Sequence, residues 1–193
     1  SVMKKHQRYF PVINASGELT NHFIIVRNGD MEFAETVVDG NLQVIHARFA
    51  DAEFFIREDL QKSLADFVPE LEKLTFQKEL GSMLAKTRRI QSLTNQLGKV
   101  LGLSESEQAT AARVAELSKA DLASQMVIEM TSLQGIMGRF YAEKSDEAPE
   151  VAQGVFEHYL PRTMEDRLPD GWAGICVGLA DRLDSIAGLF GVG

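Results

Sequence analysis

The most constraining stretch of this sequence is Ala111-Ala112-Arg113-Val114-Ala115-Glu116-Leu117-Ser118-Lys119-Ala120-Asp121-Leu122. Small residues and leucine recur at helical spacing, the pattern of an α-helix with an apolar face. A helix this rich in alanine approaches its neighbours closely, which places it through the middle of a bundle. Ser118, Lys119 and Asp121 interrupt the pattern late. Two helical residues that are two positions apart point about 200° away from each other around the axis. Lys119 and Asp121 therefore cannot both face the core, and one is expected to reach a polar pocket or solvent. A later helix carries Gly178-Leu179-Ala180-Asp181-Arg182-Leu183-Asp184. Asp121 together with that later aspartate is the most suggestive chemical feature of the chain.

The segments around it divide into a short β region and a series of helices. Tyr9-Phe10-Pro11-Val12-Ile13 is aromatic and β-branched, and Asn14-Ala15-Ser16-Gly17-Glu18 is turn chemistry. Phe23-Ile24-Ile25-Val26 reads as a strand buried on both faces, closed by Asn28-Gly29. An isolated hairpin is marginal in water, and no later segment offers an obvious partner strand. Two readings stay open: the hairpin packs on the helices, or the chain is cut from a larger protein. From Asn41, the residues Leu42, Ile45, Phe49, Ala52, Ile56 and Leu60 mark one apolar helix face. His46 lies on or beside that face and reads as a hydrogen-bonded structural histidine. Ser63-Leu64-Ala65-Asp66 starts a helix that Pro69 shortens or bends.

Leu80, Leu84, Thr87, Ile90, Leu93 or Thr94, Leu97 and Leu101 predict a long helix, ended by Gly102. Ser104-Glu105-Ser106-Glu107 is a capping box. It starts the central helix, which is expected to continue to Ile128. A shorter helix follows over residues 133–141, with close backbone contact permitted at Gly135 and Gly138. Another begins at the acids and proline of residues 146–150 and stops near Tyr159. The last runs from the turn at residues 168–171 to about Phe190. The tail Gly191-Val192-Gly193 is abrupt for a natural end.

Composition narrows the function. A net charge of −8 argues against a generally basic nucleic-acid binder but leaves room for a local basic patch. The single cysteine, Cys176, cannot form an internal disulfide, so a reducing cytoplasm is expected. It lies in an apolar run and reads as inert core. No segment is long and apolar enough to span a membrane, and no apolar signal core follows the basic start of the chain. His6, His22, His46 and His158 have no second histidine or cysteine at ligand spacing, so no zinc pattern is present. Asp121, Asp181 and Asp184 have the oxygens for a divalent cation. More often, such aspartates cap helices or pair with arginines such as Arg182. No nucleophile elbow, P-loop or dinucleotide fingerprint occurs, and residue chemistry alone supplies no complete active site. Two basic groups remain. Lys4-Lys5-His6-Gln7-Arg8-Tyr9-Phe10 suits nucleic acid or an acidic partner, or else merely solubilises a chain end. Lys86, Arg88 and Arg89 read as a solvated helix face, with phosphate contact the alternative.

Six blocks resemble one family. They are Met3-Lys4-Lys5-His6-Gln7-Arg8-Tyr9-Phe10-Pro11-Val12, Ala47-Arg48-Phe49-Ala50-Asp51-Ala52-Glu53-Phe54-Phe55, Ser118-Lys119-Ala120-Asp121-Leu122, Leu133-Gln134-Gly135-Ile136-Met137-Gly138-Arg139-Phe140-Tyr141, His158-Tyr159-Leu160-Pro161-Arg162 and Ala180-Asp181-Arg182-Leu183-Asp184. In this order they resemble the beta subunit of the bacterial glycyl-tRNA synthetases built from two alpha and two beta subunits. The resemblance implies an internal fragment of a longer subunit. Residues 1–60 would end a preceding mixed α/β domain and include a connecting helix. Residues 61–193 would form a helical domain like the HD phosphohydrolases, truncated at its C-terminal end. That superfamily holds metal with an early His, an adjacent His-Asp pair and a late Asp. Here Asp121 is preceded by Lys119 and Ala120, and Asp181 resembles the late Asp. The expected pocket of Lys119, Asp121, Asp181 and Asp184 is thus degenerate and without metal.

The expected fold is mainly α, an HD-like multi-helix bundle preceded by a short β-hairpin and a long helix. By the same resemblance, ATP and Mg belong to the alpha subunit, and this stretch has no cofactor and no catalytic residue. Its partners are the alpha subunit and tRNA for glycine, with Lys4, Lys5, His6, Arg8, Arg88 and Arg89 as tRNA-binding candidates. The alternatives are a metal-dependent phosphohydrolase with incomplete ligands and a purely structural spacer.

Overall fold

A computed structural model describes residues 9–193, and the chain divides into two units, residues 1–54 and 55–193. In the first, Asn14 and Gly17 make the turn that sequence chemistry expects. The Asn14 side chain accepts from the N–H groups of Ser16 and Glu18, and Gly17 takes a φ of +81°. The flanking strands β1 (Phe10–Ile13) and β2 (Leu19–Ile24) pair antiparallel, with Phe10 opposite Ile24 and Ile13 opposite Leu19. Tyr9 is buried. Its ring lies 5.5 Å from that of Phe23, and its hydroxyl donates to Asn41 at 2.6 Å, tying the hairpin to helix α1 (Ala34–Asp59).

Two expectations fail in this unit. The second strand stops at Ile24, and both Ile24 and Val26 are exposed instead of buried on two faces. Pairing two strands covers neither face of the sheet, and here the Tyr9 ring packs on Phe23 and leaves Ile24 and Val26 exposed. Helix α1 starts seven residues before Asn41, and of its expected apolar face only Ile45 is buried in the first unit. Leu42 and Phe49 are exposed, as is His46, which is no core histidine. Periodicity reveals which face could be covered, but not whether anything covers it.

In the second unit, Ser63 and Asp66 form a capping box over a short 3-10 turn (Leu64–Phe67), and a second turn (Pro69–Lys73) begins at Pro69. Pro69 thus divides the expected helix into two pieces. A small hairpin, β3 (Thr75–Gln77) with β4 (Gly81–Ser82), leads into α2 (Met83–Val100). The Ser82 hydroxyl caps α2, and Gly102 ends it at a φ of +71°, where the Leu103 N–H reaches the Gly98 carbonyl. The expected box of Ser104 and Glu107 starts α3 (Glu105–Leu117). Then come α4 (Gln125–Glu129), α5 (Ile136–Lys144), α6 (Pro149–Glu157) and α7 (Trp172–Gly191).

Helix α2 packs on α3 and α7, α3 on α6 and α7, and α5 on α6. Leu64, Leu71, Ile90, Val114, Leu117 and Val177 form the centre of the core. Glycine permits the closest crossings: a Cβ on Gly154 would sit 2.6 Å from Val114. Among the described residues, no helix is long and apolar enough to cross a membrane.

The central helix does not continue to Ile128. It ends at Leu117, Lys119 adopts φ −114° and ψ 0°, and a 3-10 turn (Ala120–Ala123) precedes α4. The Ser118 hydroxyl donates to the Ala115 carbonyl, and the Ser124 hydroxyl accepts from the Val127 N–H in the first turn of α4. Local serine chemistry competes with the helix at both positions.

Candidate functional site: a buried ion network

The break after Leu117 overturns the expectation that Lys119 and Asp121 cannot both face the core. Both are buried, at 3% and 0% exposure. On one continuous helix they would point apart, but the change of phase at Lys119 lets both side chains enter the bundle.

Lys119 occupies the middle of the site. Its ammonium donates to Asp181 at 2.7 Å, lies 2.9 Å from Nε2 of His158 and sits 4.1 Å from the centre of the Tyr159 ring. Helix α7 supplies Asp181, and the segment just after α6 supplies His158 and Tyr159. The Nδ1–H of His158 donates to the Val155 carbonyl at 2.7 Å, which leaves Nε2 as the acceptor for Lys119. Burial and the adjacent ammonium push His158 well below its ordinary pKa. Burial also lowers the pKa of Lys119, against the pull of Asp181. Burial would raise the pKa of Asp181, but Lys119 and Lys86 outweigh it and hold this carboxyl below the usual range.

Lys86 on α2 extends the network. It reaches Asp181 at 2.9 Å, Asp184 at 3.0 Å and the Ser185 hydroxyl at 2.8 Å, with the Phe76 ring at 4.4 Å. Asp184 also accepts two bonds from Arg89, at 2.6 and 3.2 Å. The spacing of Asp181 and Asp184, three apart on one helix face, lets them share Lys86. Asp121 faces the other way. One oxygen accepts from the N–H groups of Gly135 and Gly138, at 2.6 and 3.1 Å, and so caps α5. The other oxygen is buried without a partner among the described residues, as is the Tyr159 hydroxyl. Burial pushes the Asp121 carboxyl up to about 6.

Arg182 fixes the wall of this site. Its guanidinium donates to the carbonyls of Gly178, His158, Leu160 and Pro161, at 3.0, 3.3, 2.9 and 3.2 Å. Capping and arginine pairing are thus met by Asp121 at α5 and by Asp184 with Arg89, whereas Arg182 itself binds carbonyls and Asp181 is held by Lys86 and Lys119. Three cations, Lys86, Arg89 and Lys119, face two carboxylates, Asp181 and Asp184, and each ammonium is held by groups of the same chain. Among the described residues, no three His, Cys, Asp or Glu side chains are grouped to hold a metal ion. Chemically, the network is an ionic clamp joining α2, α7 and the irregular segment after α3.

A model of the family described as glycyl-tRNA synthetase beta subunit matches residues 1–193. The chain belongs to this glycyl-tRNA synthetase beta subunit family. Among its relatives, a glycine–tRNA ligase beta subunit of Moorella thermoacetica is 52% identical over 191 residues, which is 99% of this chain and 28% of the relative. One from Synechocystis is 48% identical over 193 residues, which is all of this chain and 27% of the relative. The chain thus spans little more than a quarter of the length of these family members.

The residues singled out from sequence fare unequally. Lys119, Asp181 and Asp184 meet in the network, and Asp121 adjoins it. Lys4, Lys5, His6 and Arg8 lie outside the described residues. Arg88 is exposed, whereas the Arg89 guanidinium is taken up by Asp184 and the Leu80 carbonyl. Lys86 is 3% exposed and not part of a solvated face, because Asp181 and Asp184 compensate its charge inside the bundle. Cys176 is buried, as expected, and burial raises its pKa.

Sequence reasoning did not identify His158, Tyr159 or Asp59 as site residues. The run His158-Tyr159-Leu160-Pro161-Arg162 was a family signal without an assigned role. Asp59 carried no signal. It accepts from the N–H groups of Gln125 and Met126 and from the Tyr141 hydroxyl, thereby capping α4.

Proposed function

We propose that this chain is a non-catalytic region of a glycine–tRNA ligase beta subunit, one that positions tRNA and holds subunits together. The family match over residues 1–193 carries the reading. The ion network supports the non-catalytic part. Its lysines and carboxylates neutralise one another, and the His158 ring already has a partner at each nitrogen. ATP and Mg would act on the alpha subunit, with glycine activation there and the charged product formed by the whole assembly in the cytoplasm.

The tRNA contact would come from Lys4, Lys5, His6 and Arg8, with exposed Arg88 as a further phosphate ligand. Arg89 is the weaker candidate, since a phosphate would have to compete with Asp184. Each neutralised phosphate releases counterions, so binding weakens as salt rises. In the full assembly, replacing Lys4, Lys5, Arg8 and Arg88 by Gln should weaken tRNA binding. It should also flatten the salt slope by roughly 0.7 to 0.9 per contact removed. Glycyl-adenylate formation should not change. Unchanged tRNA affinity and slope, in a variant that still assembles, would leave the region a structural spacer.

A further inference from the structure

The outward face of α7 has no use in the network. Trp172, Ile175, Leu179, Leu183, Ile186 and Phe190 follow one another at intervals of three and four residues. They form one apolar stripe along the whole helix, about 27 Å long at 1.5 Å per residue. Leu183, Ile186 and Phe190 are 47%, 57% and 85% exposed. Near the start of the stripe, Ile175 and Leu179 also line an apolar groove of about 410 Å³ with Leu160 and Leu168. After Asp184 the helix carries no charged side chain at all.

Such a face selects its occupant. A stripe spaced by three and four residues fits the apolar seam of another helix. The absence of charge beyond Asp184 gives a phosphate backbone nothing to hold. An exposed apolar strip of this length marks an interaction surface. The family members at hand extend far beyond the matched region, which is only 27–28% of their length. We propose that the α7 stripe is covered by an apolar helix from the part of the same beta-subunit polypeptide outside residues 1–193. The inference rests on the family membership but not on tRNA positioning.

The test uses the full-length beta subunit, with Ile186→Cys and Leu183→Cys introduced separately and alkylation of each new thiol followed by mass. In the isolated subunit, labelling should be at least about a hundredfold slower than in the same protein unfolded in guanidinium. The rate should be the same at every protein concentration. Labelling close to the unfolded rate in both variants overturns the proposal. Protection that appears only at high protein concentration overturns it in favour of a second copy. Protection that requires the partner subunit overturns it in favour of an intersubunit contact. None of these outcomes depends on tRNA binding, so a failure here is separate from a failure of the functional reading.

Discussion

The Lys119 ammonium lies 2.9 Å from Nε2 of His158, while Nδ1 of the same ring donates to the Val155 carbonyl. The imidazole is therefore an acceptor toward lysine, and a second ring proton would point straight at a cation. A histidine that looks isolated in sequence becomes a neutral post against which a buried charge is braced.

Removing that charge should unbalance the site. Lys119→Met leaves Asp181 with Lys86 alone and leaves His158 Nε2 without its donor. Breaking a buried pair from one side costs about 3–5 kcal/mol, so chemical denaturation should show a loss of that order. The pKa of His158, followed by NMR titration, should rise because the neighbouring ammonium is gone. A loss within the range of surface substitutions would mean that the ammonium is not held in the bundle.

Asp121 gives a pH dependence of definite sign. Its folded pKa, about 6, lies above the ordinary carboxylate value of 3.8. The folded state thus binds the extra proton, and this contribution is complete below about pH 4 and lost as pH rises through 6. Asp121→Asn keeps an acceptor for Gly135 and Gly138 but does not titrate. The variant should gain on the wild type by about 2 kcal/mol between pH 4 and pH 7. A difference in unfolding free energy that stays constant with pH would refute the assignment. His158 acts in the opposite direction in both proteins, since its lowered pKa withdraws stability as pH falls below about 6.5. The comparison cancels it.

Gly138→Ala should destabilise the chain although alanine is the better helix former. A Cβ there would lie 2.8 Å from Val155 and 3.0 Å from the Asp121 carboxylate. Overpacking of this kind costs about 1–3 kcal/mol, against a gain of about 0.5–1 kcal/mol from helix propensity. A rise in melting temperature would show that the contact between α5 and α6 is looser than the geometry states.

The first hairpin should exchange its amide protons faster than α3. Among the described residues, strands β1 and β2 pair only with each other, and Ile13, Leu19 and Ile24 are exposed. Isolated hairpins are marginal in water, whereas Val114, Ala115 and Leu117 on α3 are fully buried. Equal protection of the two elements in native-state hydrogen exchange would count against the hairpin being the weaker element.

Short-range chemistry was legible in the sequence by itself. The turn at Asn14 and Gly17, the cap at Ser104, the stop at Gly102 and the proline start of α6 each depend on a few neighbouring residues. The helical periods of α2, α3 and α7 were equally plain, and six sequence blocks in order sufficed for the family. What the tertiary structure decided was the fate of charge. Lys86 looked like one cation of a solvated face, and only the facing turn of α7, about a hundred positions later, makes its burial affordable. Lys119 and Asp121 looked mutually exclusive because the helix was taken as unbroken. The break depends on what Ser118, Lys119 and Asp121 meet once folded, above all the N-terminus of α5 and Asp181. Burial of an ionised group depends on partners distant in sequence, and periodicity carries no information about them.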